Sequence, residues 1–170
     1  LTLELRAYPE GVAFRYVLPQ STQEYLVLKE GTQLIFPVGT KASLHLGGHQ
    51  TVPQVYDVEN LPDSYYKRPI TMKYANGSLL TFCEANLDNY CEIILNRDSA
   101  PRSMQFLMSS GVTVKSGSPE ATPWRTLVMG STETELAAHN FIVMNLNEAP
   151  EGDFSWVKSM SCLRAASGMN

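Results

Sequence analysis

Histidine is scarce in this chain of 170 residues: His45, His49 and His139 are the only three. No Gly-x-Ser-x-Gly elbow accompanies them, so serine-hydrolase chemistry has no support. His45 and His49 stand four apart, but Gly47-Gly48 lies between them. That excludes a rigid helical metal pair and leaves them as surface or loop residues. Cysteine is equally sparse. Cys83, Cys91 and Cys162 include no Cys-x-x-Cys pair, which removes the usual zinc spacing, and three thiols cannot all be bridged. Reduced, mostly buried thiols are the simplest state. No stretch concentrates Lys or Arg, and 13 basic against 17 acidic residues give a net charge of -4. Nucleic-acid binding by phosphate neutralisation therefore has no electrostatic basis. Apolar runs such as Phe141-Ile-Val-Met144 are far shorter than the roughly 20 residues that cross a bilayer, so no membrane span is expected.

The composition that remains, 44% apolar and 18% charged, is that of one ordinary globular domain with a sizeable core. Its patterning is β throughout. Leu1, Leu3, Leu5 and Ala7 alternate with polar residues, and Val12, Phe14, Tyr16 and Leu18 do the same. Pro9-Glu10-Gly11 between them predicts a hairpin in which Gly11 supplies a positive φ. Further strands are expected over 24–29, 33–37 and 41–46, then a long surface loop over 47–68. Asn76-Gly77 predicts a second hairpin between 70–74 and 78–85. Strands at 91–96, 105–108, 112–115 and 125–129 follow. Ser131-Thr-Glu-Thr-Glu135 reads as a capped helix start of a turn or two, with residues 140–145 turning β-like and everything beyond Val157 irregular. The fold class expected is all-β: an antiparallel β-sandwich with at most one or two short helical turns. Because the chain starts at Leu1 inside a strand pattern, it reads as a cut edge.

Carboxylates carry what chemical signal there is. Leu80, Phe82 and Glu84 share one strand face by the period-2 rule, so Glu84 points where the hydrophobes point. A carboxylate so aimed costs several kcal/mol unless a cation, donors or solvent receive it. Read from the residues alone, Glu84 caps a neighbouring strand, pairs with an arginine, or offers calcium a hard oxygen ligand, although one Glu cannot complete six to eight ligands. The groups Asp57, Glu59, Asp63 and Glu148, Glu151, Asp153 sit in Pro/Gly-rich segments and read as solvated loops. They lack the rigid cross-cleft placement that glycosidase carboxyls need. Trp124 and Trp156 are either core or domain-interface anchors, or, with Tyr65 and Tyr66, a platform for stacking on sugar rings.

Five segments then carry a resemblance: Arg6-Ala-Tyr-Pro-Glu-Gly-Val-Ala-Phe-Arg-Tyr16, Glu84-Ala-Asn-Leu-Asp-Asn-Tyr90, Thr122-Pro-Trp-Arg125, Asn145-Leu-Asn147 and Ser155-Trp-Val-Lys158. In this order they resemble glycoside hydrolase family 97, calcium-dependent α-glucosidases and α-galactosidases of the Bacteroides type. The resemblance implies the later part of an N-terminal β-supersandwich domain over 1–157. A linker over 158–170 would then lead toward an absent catalytic (β/α)8 barrel of the same polypeptide. It implies that the catalytic residues lie on that barrel, with none in this chain, and that Glu84 is a metal ligand for a calcium ion shared with it. It implies an α-linked oligosaccharide substrate and a periplasmic or secreted bacterial location. The linker departs from the family pattern, with Ser159-Met160 where Pro-Gly is usual. A free-standing carbohydrate-binding β-sandwich is the alternative reading.

Overall fold

The computed structural model describes residues 1–47, 51–117, 121–149, 151–153 and 155–156. The first hairpin joins β1 (Thr2–Tyr8) to β2 (Gly11–Val17), with Tyr8 opposite Gly11 and only Pro9-Glu10 between them. Gly11 is not among the positive-φ residues, contrary to the expectation from its turn position. Its missing side chain serves a neighbouring strand instead: a Cβ there would lie 2.4 Å from the Leu127 carbonyl oxygen. Short strands β3 (Tyr25–Val27) and β4 (Gln33–Ile35) precede β5 (Lys41–Leu46).

The expected long loop over 47–68 is a misreading. It holds β6 (Gln54–Asp57), a 3-10 turn at Val58–Asn60 and the start of β7 (Tyr65–Lys73). These pieces hide in the sequence for a physical reason. In β6 only Tyr56 is even partly buried, and the opening of β7 spends Lys67 and Arg68 on ion pairs. The β7–β8 hairpin turns at Asn76-Gly77 as expected, with Gly77 at φ 89° and the Asn76 side chain accepting from the Ser78 amide at 3.0 Å. Then come β8 (Leu79–Ala85), β9 (Ile93–Arg97), β10 (Ser103–Met108), β11 (Val112–Val114) and β12 (Trp124–Gly130).

The strands pair antiparallel in a ten-stranded sheet whose main path runs β1-β2-β12-β8-β7-β9-β10-β4, with β5 and β6 attached beside β7 and β3 pairing separately with β11. β7 is where this sheet divides. One of its edges pairs with β5 along most of its length; the other pairs with β9 at Tyr65 and Tyr66, then with β8 from Ile70 to Lys73. Lys67, Arg68 and Pro69 span the gap, and Pro69 has no N–H to give to either partner. The main core, including Leu44, Tyr66, Ile70, Phe82, Leu95 and Phe106, fills the space enclosed by the divided sheet. This is the expected all-β, sandwich-like class.

Two short helices follow. α1 (Glu133–Ala138) begins at Thr132, whose hydroxyl accepts from the Glu135 amide at 3.1 Å, while Glu135 reaches back to the Ser131 amide at 2.8 Å. The β-like reading of 140–145 is corrected by α2 (Phe141–Asn145). Ile142 and Leu146 pack into a second small core with Ala13, Ala85, Trp124 and Val128, and that burial overrides the β-branched run. Residues 158–170, the expected linker, lie outside the described residues.

Replacing Gly11 by Ala should lower the unfolding free energy by about 2 kcal/mol, because the crowding atom is strand backbone that cannot step aside. Gly31→Ala, where nothing lies within 4 Å, should leave it within about 0.5 kcal/mol. Urea titration of both variants is the check.

Candidate functional site

Leu80, Phe82 and Glu84 all face the core, as their alternation predicts, and each is buried. Glu84 is the last charged residue of β8, placed where β8 and β9 part from β7. Its cross-strand neighbour in the β12 register is Arg125, which is fully buried. Directly opposed residues of an antiparallel pair share a face, so the sheet itself brings these two charges together.

The ion pairs continue on both sides. Arg125 Nη1 donates to Glu84 Oε1 and, at 3.3 Å, to the Pro123 carbonyl; its Nη2 donates to Glu30 Oε2 at 2.7 Å. Glu30 Oε1 accepts from the Thr32 hydroxyl at 3.1 Å, and Thr32 meets the Tyr16 hydroxyl at 3.0 Å. On the other side Glu84 Oε2 pairs with Arg68 Nη1 and accepts from the Ile93 amide at 3.2 Å. Arg68 Nη2 donates to Glu92 Oε2 at 2.8 Å, and Lys67 Nζ to Glu92 Oε1 at 2.7 Å. Lys67, Arg68 and Arg125 thus alternate with Glu92, Glu84 and Glu30, three charges of each sign.

The surroundings tune these groups in opposite directions. Burial pulls the Arg68 pKa below its ordinary value, against the opposing pull of Glu92. The Lys67 hydrogen bond, with Arg68 behind it, holds the Glu92 carboxyl below the usual carboxylate range. Burial pushes the Tyr90 phenol up to about 12. The Cys83 thiol is likewise raised by burial, only partly offset by Arg68, which makes it a poor nucleophile at neutral pH.

Chemically this is a closed arrangement. Both Glu84 oxygens are engaged by guanidinium groups, and the side chain is 2% exposed. It is neither presented to a substrate nor free to exchange a proton with one. A calcium ion needs six to eight oxygen ligands. Among the described residues no group of three or more His, Cys, Asp or Glu is placed to hold a metal, and an arginine is paired with each Glu84 oxygen. By itself the chain offers a calcium ion one carboxylate at this position, already paired with two arginines, and does not complete an ion site.

The other candidates are dispersed. Trp124 is buried, with the Arg6 and Arg15 guanidiniums each 4.5 Å from its ring centroid, so no face is open to a sugar. Trp156 is 75% exposed. Tyr65 is exposed while Tyr66 is buried, its hydroxyl donating to the Pro62 carbonyl. The four aromatics therefore form no common platform. His45 lies in β5 against the Thr51 carbonyl and His139 ends α1 against the Met129 carbonyl; His49 and Cys162 lie outside the described residues. Asp57 pairs with Lys41, Glu59 accepts from the Gly39 amide, and Asp63, Glu148, Glu151 and Asp153 are exposed. Cys83 and Cys91 are free thiols. A hollow of about 730 Å³ crosses the outward face of β5, β7 and β8 beside α1, with Lys41, Thr71, Lys73, Cys83 and Glu133 among its lining residues.

Sequence reasoning found Glu84 but not Arg68, Arg125, Glu30 or Glu92. Arg125 did carry a signal: it shares its strand face with Leu127, a cation where a hydrophobe is expected. Glu30, between two three-residue strands, carried none.

Comparison with known proteins adds the wider context. Residues 1–149 match the family described as Glycosyl-hydrolase 97 N-terminal. A retaining alpha-galactosidase of Bacteroides thetaiotaomicron is 24% identical, over 92% of this chain and 29% of its own length. A Glycoside Hydrolase Family 97 enzyme from Pseudoalteromonas sp. strain K8, solved in complex with acarbose, superposes with a TM-score of 0.77 at 26% identity, covering 92% of this chain and 25% of that one. A beta-arabinopyranosidase shares the fold, with a TM-score of 0.64 at 21% identity over 76% of this chain. The chain thus spans between a quarter and a third of the length of these relatives.

Arg125→Met should destabilise the fold by about 3–5 kcal/mol, because it strands Glu30 and Glu84 as buried charges without their shared cation. Adding Glu84→Gln and Glu30→Gln to it should recover a substantial part. Denaturant unfolding of the single and triple variants measures both.

Proposed function

This chain belongs to the glycosyl-hydrolase 97 N-terminal family, and we propose that it is the non-catalytic N-terminal domain of a larger α-glycosidase. The parent would hydrolyse α-glucosides or α-galactosides, with its acid and base or nucleophile on a (β/α)8 barrel of the same polypeptide. The observation that carries this reading is the family match together with the small share of each relative that the chain covers. The closed state of the Glu84 cluster supports it too: the best-placed carboxylate of the described residues serves to hold strands together. The bacterial sources of two of the relatives support a bacterial enzyme, for which a periplasmic or secreted location is part of the proposal. No helix among the described residues is long and apolar enough to cross a membrane.

Within this proposal Glu84 is the one carboxylate the domain would share with a calcium ion, and the remaining ligands would come from the barrel. That requires a guanidinium to give up one Glu84 oxygen when the two domains meet. Arg68 is the arginine placed to do so, since its other arm is held by Glu92. The alternative of a free-standing carbohydrate-binding module loses its principal support with Trp124 buried and two arginines over its ring.

Two measurements test the proposal. The purified chain should show no turnover of aryl α-glucosides or α-galactosides, whereas the parent protein with its barrel should turn over one of them. Turnover by the chain alone would place the chemistry here and overturn the reading. Millimolar calcium should shift the melting temperature of the isolated chain by less than about 1 °C, since a ligand that stabilises must bind the folded state. A rise of several degrees would show that the chain completes an ion site unaided.

A further inference from the structure

The tip of the β7–β8 hairpin carries a reactive pair that the turn itself does not need to be reactive. Asn76-Gly77 is the single Asn-Gly step in the sequence; every other asparagine that has a successor precedes a residue with a side chain. A backbone nitrogen that belongs to glycine has no Cβ beside it to shield it from the preceding side chain. Asn76 is exposed, and nothing lies within 4 Å of the place a Cβ would take at Gly77. One hydrogen bond restrains the Gly77 amide, which donates to the Tyr74 carbonyl at 2.9 Å.

We propose that Asn76 converts spontaneously into aspartate and isoaspartate, and that the hairpin retains the first product and is undone by the second. The Gly77 nitrogen attacks the side-chain carbonyl carbon of Asn76. The amide nitrogen leaves as ammonia, carrying away the Gly77 proton, and the new C–N bond closes a succinimide ring. Water then opens that ring. Opening at the side-chain carbonyl gives aspartate with the main chain unchanged. Opening at the main-chain carbonyl gives isoaspartate, in which the backbone runs through the side-chain carbons. The sum is amide plus water to acid plus ammonia, with no other reactant.

The turn treats the two products differently. The Asn76 carbonyl oxygen accepts from the Ser78 amide at 3.0 Å and from the Ser78 hydroxyl at 2.7 Å. An aspartate oxygen in the same place accepts both, and its charge strengthens them. Isoaspartate instead inserts one more main-chain carbon ahead of Gly77. The turn has no slack for it. The Tyr74 amide donates to the Ser78 carbonyl at 2.9 Å across residues 75–77, and the next pair of the ladder sets Lys73 opposite Leu79. One pair further on, Met72 and Leu80 are in the main core, so a lengthened tip strains buried packing as well as register. Neither the reaction nor its outcome depends on the proposed glycosidase role.

Incubation of the 170-residue chain in mildly alkaline buffer, followed by digestion and mass spectrometry, should show the amide-to-acid mass change first at Asn76. A synthetic peptide of residues 70–83 is the positive control. Chromatography separates the two product chains, and labelling by an isoaspartyl methyltransferase tells them apart. The isoaspartyl chain should melt about 3 °C or more below wild type, whereas the aspartyl chain and Asn76→Asp should melt with wild type. A folded chain that forms no acid at Asn76 while the peptide converts overturns the proposal, as does acid appearing first at another asparagine. So does an isoaspartyl chain as stable as wild type, or an Asn76→Asp chain as unstable as the isoaspartyl one.

Discussion

The fold depends on how one buried cation is satisfied. Arg125, with no exposed surface, holds Glu84 of the adjacent strand with one amine and Glu30 from the β3–β4 connection with the other. In a low-dielectric interior an unpaired guanidinium would cost several kcal/mol, so the chain can enclose Arg125 only if both carboxylates arrive with it. Three segments far apart in sequence are therefore fixed together by charge. Arg68 and Glu92 extend the same constraint to β7 and the start of β9, across the gap where Pro69 cannot support a ladder. The ion pairs take over at the place where the backbone hydrogen bonds stop.

This explains why a carboxylate on a core-facing strand position need not be catalytic. An apolar-side Glu must be received by something, and here the receivers are arginines supplied by the sheet's own register. The neutral sum of the six charges leaves little electrostatic reason for a divalent ion to enter while the domain is alone. In the proposed assembly a second domain would change the identity of the receivers, so the functional reading belongs to the assembled protein.

The legible parts of the fold were those governed by local alternation and turn chemistry. The β1–β2 and β7–β8 hairpins, Glu84's inward aim and the Thr132 cap all follow from period-2 patterning, Asn76-Gly77 and a hydroxyl ahead of acidic residues. The failures have tertiary causes. Phe141–Asn145 looked β-like because Ile142 and Val143 are branched, yet packing of Ile142 against Trp124 and Val128 makes a helix. β7's opening looked like loop because Lys67 and Arg68 replace hydrophobes with ion pairs. Gly11 was correctly marked as special for the wrong reason: crowding by β12, two strands from β1, demands a glycine where the turn does not. At the site, one acid was readable from its own strand. Its partners were not, because pairing across 41 and 95 residues is a property of register and not of spacing.

The division of the sheet at β7 has one more consequence. Tyr65 and Tyr66 belong to the ladder that leads to β9, β10 and β4, while Ile70 to Lys73 belong to the one that leads to β8, β12, β2 and β1. A single segment of nine residues is thus common property of both halves. Neither half can be excised as an autonomous folding piece, and a backbone nick within that segment would unfasten the two together. A domain wired through one shared member should melt as a unit, with no half-folded form to accumulate on the way.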